Sequence, residues 1–170
     1  VHTGDFKIDH TPVDGKATDL ARLARYGAEG VLLLMSDSTY AEIEGYTPSE
    51  RVVGEALDRV IGEAQGRVLV ATFASLIARI QQTIEAAARH GRKVAVVGRS
   101  MVNNVAMATE MGYLQSPPGT LVSLREVKSL PLEKVVIITT GSQGEPTSAL
   151  VRIANRDHRD IRIISGDTVI

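Results

Sequence analysis

The sequence predicts an α/β domain with a doubly wound, mainly parallel sheet and helices on both faces. Three observations carry that expectation. Short runs are apolar at every position, as in strands covered on both sides. Longer stretches with helical spacing separate them. The junctions after the apolar runs are rich in Gly, Ser and Thr. At 170 residues the chain is long enough for one buried core. Nineteen basic and twenty acidic residues give a net charge of −1, which excludes a diffuse basic footprint, so any nucleic-acid binding must be local. The absence of cysteine excludes a disulfide framework and a thiolate metal site, and it suits a cytoplasmic location. There is no signal-peptide pattern, and no apolar run approaches the ~20 residues that cross a bilayer, so no membrane partner is expected.

The elements follow in order. Strands are expected at 31–35, 67–72, 93–97 and 134–139, with a fifth at 161–164 and the start of another at 168–170. Thr18 caps a helix over 19–26. Thr47-Pro48-Ser49-Glu50 has capping-box spacing with proline at the first helical position, so a helix is expected over 48–65. Helices at 76–90 and 100–111 stop at Gly91 and Gly112. Ser123-Leu124-Arg125-Glu126 opens a short helical turn that Pro131 ends, and 146–154 is the last helix. Ser116-Pro117-Pro118-Gly119 separates two halves of one domain. The order of the elements implies right-handed crossovers.

In open parallel sheets, ligands lie beyond the carboxyl ends of the strands. Four such ends read alike: Ser36-Asp37-Ser38-Thr39, Thr72-Phe73-Ala74-Ser75, Gly98-Arg99-Ser100 and Thr139-Thr140-Gly141-Ser142-Gln143-Gly144-Glu145. Each offers hydroxyls, several precede a helix whose free N–H groups favour an anion, and Arg99 adds a forked cation suited to phosphate. The competing reading is that these Ser and Thr residues only cap helices. At the start of the chain, Asp5 follows a glycine, where a carboxylate can meet a metal or simply serve a turn. His2 reads as structural, His90 suits a helix C-terminus, and His10 and His158 are scattered. No P-loop, G-x-G-x-x-G or H-E-x-x-H pattern occurs, and no Ser–His–Asp arrangement emerges.

Taken in order, these motifs resemble the ribonuclease J family, in the β-CASP branch of the metallo-β-lactamase superfamily. Thr3-Gly4-Asp5-Phe6-Lys7-Ile8-Asp9 is similar to that superfamily's fourth motif, and Ser36-Asp37-Ser38-Thr39 with the following Gly45-Tyr46-Thr47-Pro48-Ser49-Glu50 is similar to β-CASP motif A and its helix. The other three strand ends resemble stretches lining the family's RNA groove. The resemblance implies a parent ribonuclease with two zinc ions per active site, acting in RNA processing and decay as a 5′–3′ exonuclease, an endonuclease or both. It makes Asp5 a metal ligand and assigns Asp5 and Asp37 to catalysis. It gives RNA or phosphate binding to Ser38, Thr39, Thr72, Ser75, Arg99, Ser100, Gly141, Ser142 and Gln143. Residues 1–15 would be a metallo-β-lactamase stub, 16–165 the β-CASP domain and 166–170 the start of a return to the lactamase domain. The expected partners are single-stranded RNA, the lactamase domain of the same parent and, in a homo-oligomer, a second copy of the chain. The family's H-x-H-x-D-H motif is absent, and Leu76 and Ala78 stand where the family has polar residues or histidine. The fragment alone is therefore expected to be inactive and to bind no zinc. The alternative is a non-catalytic nucleotide- or phosphate-binding α/β module.

Overall fold

A computed structural model describes residues 1–170. The chain forms two compact units, Val1–Val53 and Gly54–Ile170.

The larger unit is built on a four-stranded, wholly parallel sheet. Its strands are β1 (Val68–Ala71), β2 (Lys93–Val97), β3 (Val135–Thr139) and β4 (Thr168–Val169), in the order β2-β3-β1-β4. β3 is buried along its whole length, between β2 and β1. Val and Ile dominate these strands because branched side chains pack well on a pleated surface. Successive side chains alternate between faces. Leu69, Ala95, Val97, Val135 and Ile137 share one core with Val127, Ala149, Ile153 and Ile161. The opposite set, Val68, Val70, Val94, Val136 and Ile138, is equally buried. Helix α3 (Ile77–Arg89) contacts β2 and β3 and contributes buried Ile80 and Ile84. Both faces are therefore covered, as the continuous apolar runs predict.

The remaining helices follow the sequence closely. Helix α4 (Arg99–Glu110) buries Met101, Val105 and Ala108. Helix α5 (Leu124–Val127) opens with the reciprocal Ser123–Glu126 capping box that its spacing predicts. Helix α6 (Ala149–Ala154) starts later than 146, because Ser148 takes the cap and accepts from the Val151 N–H. His90 sits with its Nε2 3.2 Å from Asp58 Oδ1, so a specific carboxylate joins the helix-end effect.

Two expected strands do not form. Residues 31–35 make only one parallel bridge, His2 to Met35, and Leu32 is fully exposed. Their hydrogen bonds reach only the first three residues: Met35 N donates to Val1 O and Thr3 N to Met35 O. An apolar run becomes a strand only where a neighbour completes its ladder, and here the ladder is too short. Residues 161–164 also stay outside the sheet. Ile161 is buried in the core, but Ile163 and Ile164 are exposed. β1 pairs instead with Thr168–Val169, the segment just beyond.

In the smaller unit, helix α1 (Leu20–Glu29) is capped by Asp19, whose side chain accepts from Arg22 N, and not by Thr18. Helix α2 (Glu50–Glu63) begins after the Thr47-Pro48 step. Its first N–H groups go elsewhere than to Thr47. Glu50 N donates to Asp9 Oδ2 and Arg51 N to Ser49 Oγ, while Ser49 Oγ itself donates to Asp9 Oδ2. A distant carboxylate thus does the work that the local motif predicted.

Arg67 ties β1 to the segment before β4. Its guanidinium grips Asp167 through two parallel bonds, Nε–Oδ1 at 3.0 Å and Nη2–Oδ2 at 2.6 Å. The side chains are 13% and 1% exposed. Breaking a buried pair leaves an unpaired charge and costs about 3–5 kcal/mol. Arg67→Ala should therefore lower unfolding free energy by about that amount in urea titrations, and Arg67→Lys should restore only part of it. The Asp9 carboxyl is held below its usual range, first by the Thr11 N–H and then by the Glu50 N–H. Its stabilising effect is complete above the unfolded carboxyl pKa of about 4 and disappears as the pH falls through the lower folded value. Asp9→Asn should thus be less stable than wild type at neutral pH, with the gap closing below about pH 4 in pH-dependent melts.

Candidate functional site

Two regions gather the candidate residues. The first lies within the smaller unit, a cleft of about 800 Å³ whose wall includes Asp5, Phe6, Asp37 and Thr39. Gly4, at φ +62°, turns the chain just before Asp5. The Gly4 N–H donates to His2 Nδ1, so His2 supports this turn. Thr3 Oγ1 accepts from Asp37 N, which binds the 3–6 segment to the 36–39 loop. The Asp37 carboxyl lies below its usual range, chiefly because it accepts from the Thr39 hydroxyl (2.6 Å) and the Thr39 N–H (3.1 Å). Sequence spacing alone does not show that Asp5 and Asp37 meet. The fold brings them to one cleft, with Asp5 exposed and Asp37 partly buried.

The second region is the carboxyl edge of the parallel sheet. The loops after β1, β2 and β3 emerge there, because parallel strands end on the same side. The expectation of four such loops needs correction. Ser36, Asp37, Ser38 and Thr39 belong to the cleft in the other unit, since residues 31–35 are not a strand of this sheet. On the edge itself Ser75, Arg99, Ser100, Ser142 and Gln143 are exposed. Thr72 is 2% exposed and stands behind the edge instead of on it. Gly141, at φ +117°, is buried where a Cβ would meet Ser148 Oγ at 2.5 Å, so only glycine permits this loop. Gly98, at φ +105°, approaches Thr140 and Ala149, and Asn104 Nδ2 donates to Ala74 O at 2.9 Å. These contacts knit the three loops together.

The capping-only reading fails for most of these hydroxyls. The caps of α3 and α4 are Leu76 and Gly98, and neither makes a side-chain cap bond. Ser75, Ser100 and Ser142 therefore leave their hydroxyls to the surface, whereas Ser148 caps α6 and Thr140 Oγ1 accepts from the Ala149 N–H at its first position. Arg99 sits at the first position of α4, exposed and without an ion pair to any carboxylate.

The donor set limits any metal. No three His, Asp or Glu side chains lie close enough together to hold a metal ion. A catalytic zinc takes about three protein ligands plus water. Asp5 can offer one carboxylate, so the residues of this chain do not by themselves fit a zinc centre.

Comparison with known proteins identifies the fold's relatives. Residues 65–170 match the family described as "Ribonuclease J, beta-CASP domain". The whole chain is similar to proteins named Ribonuclease J. It is 56% identical to that of Thermus thermophilus, covering 100% of this chain and 30% of the relative. It is 52% identical to that of Synechocystis sp., covering 100% and 27%, and 51% identical to that of Helicobacter pylori, covering 100% and 25%. The chain thus spans less than a third of the length of these curated relatives. With the parallel sheet, the knitted loop edge and the Asp5–Asp37 cleft in hand, the chain belongs to the ribonuclease J family and carries its β-CASP domain.

Proposed function

We propose that this chain is the RNA-binding β-CASP part of a zinc-dependent ribonuclease that hydrolyses RNA phosphodiesters in the cytoplasm, in rRNA processing and mRNA decay. The observation that carries the reading is the loop edge. It presents hydroxyls that cap no helix beside an arginine that pairs with no carboxylate. Such a surface suits phosphate, because helix N–H groups and a guanidinium both favour an anion. Ser75, Arg99, Ser100, Ser142 and Gln143 bind the RNA backbone, with Thr72 and Gly141 shaping the loops behind them. Ser38 and Thr39 extend the contact beside the cleft. Asp5 supplies one metal ligand, and Asp37 takes part in the reaction at the same cleft. The other ligands come from the metallo-β-lactamase part of the same parent. A metal held there would supply water activation and charge stabilisation at the phosphate.

Two measurements on the full-length protein test this. Arg99→Ala should weaken RNA binding by about 1.5–3 kcal/mol, the scale of a hydrogen bond to a charged group. Arg99→Lys should recover only part, and the salt dependence should flatten by about one phosphate contact. Unchanged affinity in a stably folded variant would count against the edge as the RNA site.

Asp37 separates chemistry from architecture. Asp37→Asn keeps an acceptor for the Thr39 bonds but removes the charge. Turnover should fall at least ~100-fold, the lower end of general acid–base contributions, while the melting temperature stays near wild type. A variant that loses stability and keeps turnover would reduce Asp37 to a turn residue.

A further inference from the structure

Every aromatic side chain of this protein is on its surface. The two Phe and four Tyr are Phe6, Phe73, Tyr26, Tyr40, Tyr46 and Tyr113, and all are exposed. The core is filled instead by Ile, Val, Leu, Ala and one Met. Aromatic rings are large apolar groups that ordinarily serve cores and interfaces.

Three of the six, Phe6, Tyr40 and Tyr46, line the cleft that holds Asp5 and Asp37. Tyr46 is 92% exposed and Tyr40 71%. Their backbone is nevertheless fixed. Two successive turns hold Tyr40, with Ala41 N donating to Ser38 O and Ile43 N to Tyr40 O, each at 3.1 Å. Tyr46 lies between Gly45, at φ +106°, and Thr47, whose own backbone is restricted by the following Pro48. Phe6 follows the turn at Gly4, and the bond from Asp37 N to Thr3 Oγ1 ties that segment to the 36–39 loop. The rings are thus presented on an ordered frame, which lowers the entropy lost when they meet a ligand.

Charge then sorts the ligands. The wall sets Asp5, Asp9 and Asp37 against Lys7 and His10. The Lys7 ammonium is already on Glu50 Oε1 at 3.0 Å. This side of the cleft is acidic and does not by itself draw in phosphate. It does suit a flat, neutral ring, since such a ring stacks on aromatic faces. A cleft of about 800 Å³ is within the ~300–1,000 Å³ range of small-molecule sites. A nucleobase fits this description, and only an unpaired base has both faces free.

We infer that Tyr46 and Tyr40, with Phe6 beside them, form a stacking platform for an unpaired nucleobase, so that this cleft takes a single-stranded segment by its bases while the Arg99 edge takes phosphate. The inference rests on the RNA reading above and adds to it the part of the nucleotide that each surface recognises.

The test uses the full-length protein and a nuclease-resistant 2′-O-methyl single-stranded oligonucleotide, together with a series in which one base at a time is replaced by an abasic sugar. Wild type should lose about 5- to 100-fold in affinity at one register, the range for a stacked base. Tyr46→Ala combined with Tyr40→Ala should bind the intact oligonucleotide weaker by a similar factor and show no further loss at that register. Tyr46→Phe should bind as wild type does, and Tyr46→Leu should not, because it keeps apolar volume but has no ring face. An abasic penalty that persists undiminished in the double variant overturns the platform. So does Tyr46→Leu binding as well as wild type, or a uniform loss of affinity that tracks a fall in melting temperature. A wild-type protein that binds RNA with no base-dependent register overturns the platform alone. One that binds neither the intact nor the abasic oligonucleotide overturns the RNA reading as well.

Discussion

The parallel pairing of β3 with β1 on one side and β2 on the other is the constraint on which the larger unit depends. Parallel neighbours must end on the same side, so three separate loops are delivered to one edge without any local signal asking for it. β3 can hold this place because every one of its residues is buried. Its two neighbours share the burden, since Val, Ile and Leu on both faces of all three strands find helices or loops to cover them. Once the strands are fixed, the loops have little freedom. Gly98 and Gly141 sit where a side chain would strike Thr140 or Ser148, and the close approach that they allow locks the β2 and β3 loops to each other.

Much of this was legible in the sequence. β1, β2 and β3 appear as continuous apolar runs, and the Ser123–Glu126 capping box reads directly from its spacing. What failed has a common cause. The runs at 31–35 and 161–164 have strand-like composition, but a strand is a relation between segments, and composition says nothing about the partner. Residues 31–35 found only the first three residues, and 161–164 gave up their place to 168–169. The start of α2 shows the same limit for helices. Thr47-Pro48-Ser49-Glu50 reads as a self-contained cap, yet Asp9, some forty residues away, accepts from Glu50 N instead.

The candidate site divides along the same line. The hydroxyls and the arginine at the sheet edge could be picked out, because the fold class itself says where strand ends go. The grouping of Asp5 with Asp37 could not be derived from spacing, since 31 residues and no shared element of regular structure lie between Asp5 and Asp37. It follows from the resemblance, and the hydrogen bond from Asp37 N to Thr3 Oγ1 gives it a physical basis. Thr72 shows the opposite error. Its position in the motif is right for a surface hydroxyl, but the strand end buries it.

The Arg67–Asp167 pair spans 100 residues of chain. A ribosome adding ~5–20 residues per second needs about 5–20 seconds to make that stretch. For that interval β1 has already been synthesised while the partner for its outer edge has not. The unfinished edge is a ready template for another chain. The residue just before β1 is itself a charged arginine, which blunts such pairing until Asp167 arrives to neutralise it. The same side chain that fastens the finished sheet therefore also guards it while the polypeptide is still being made.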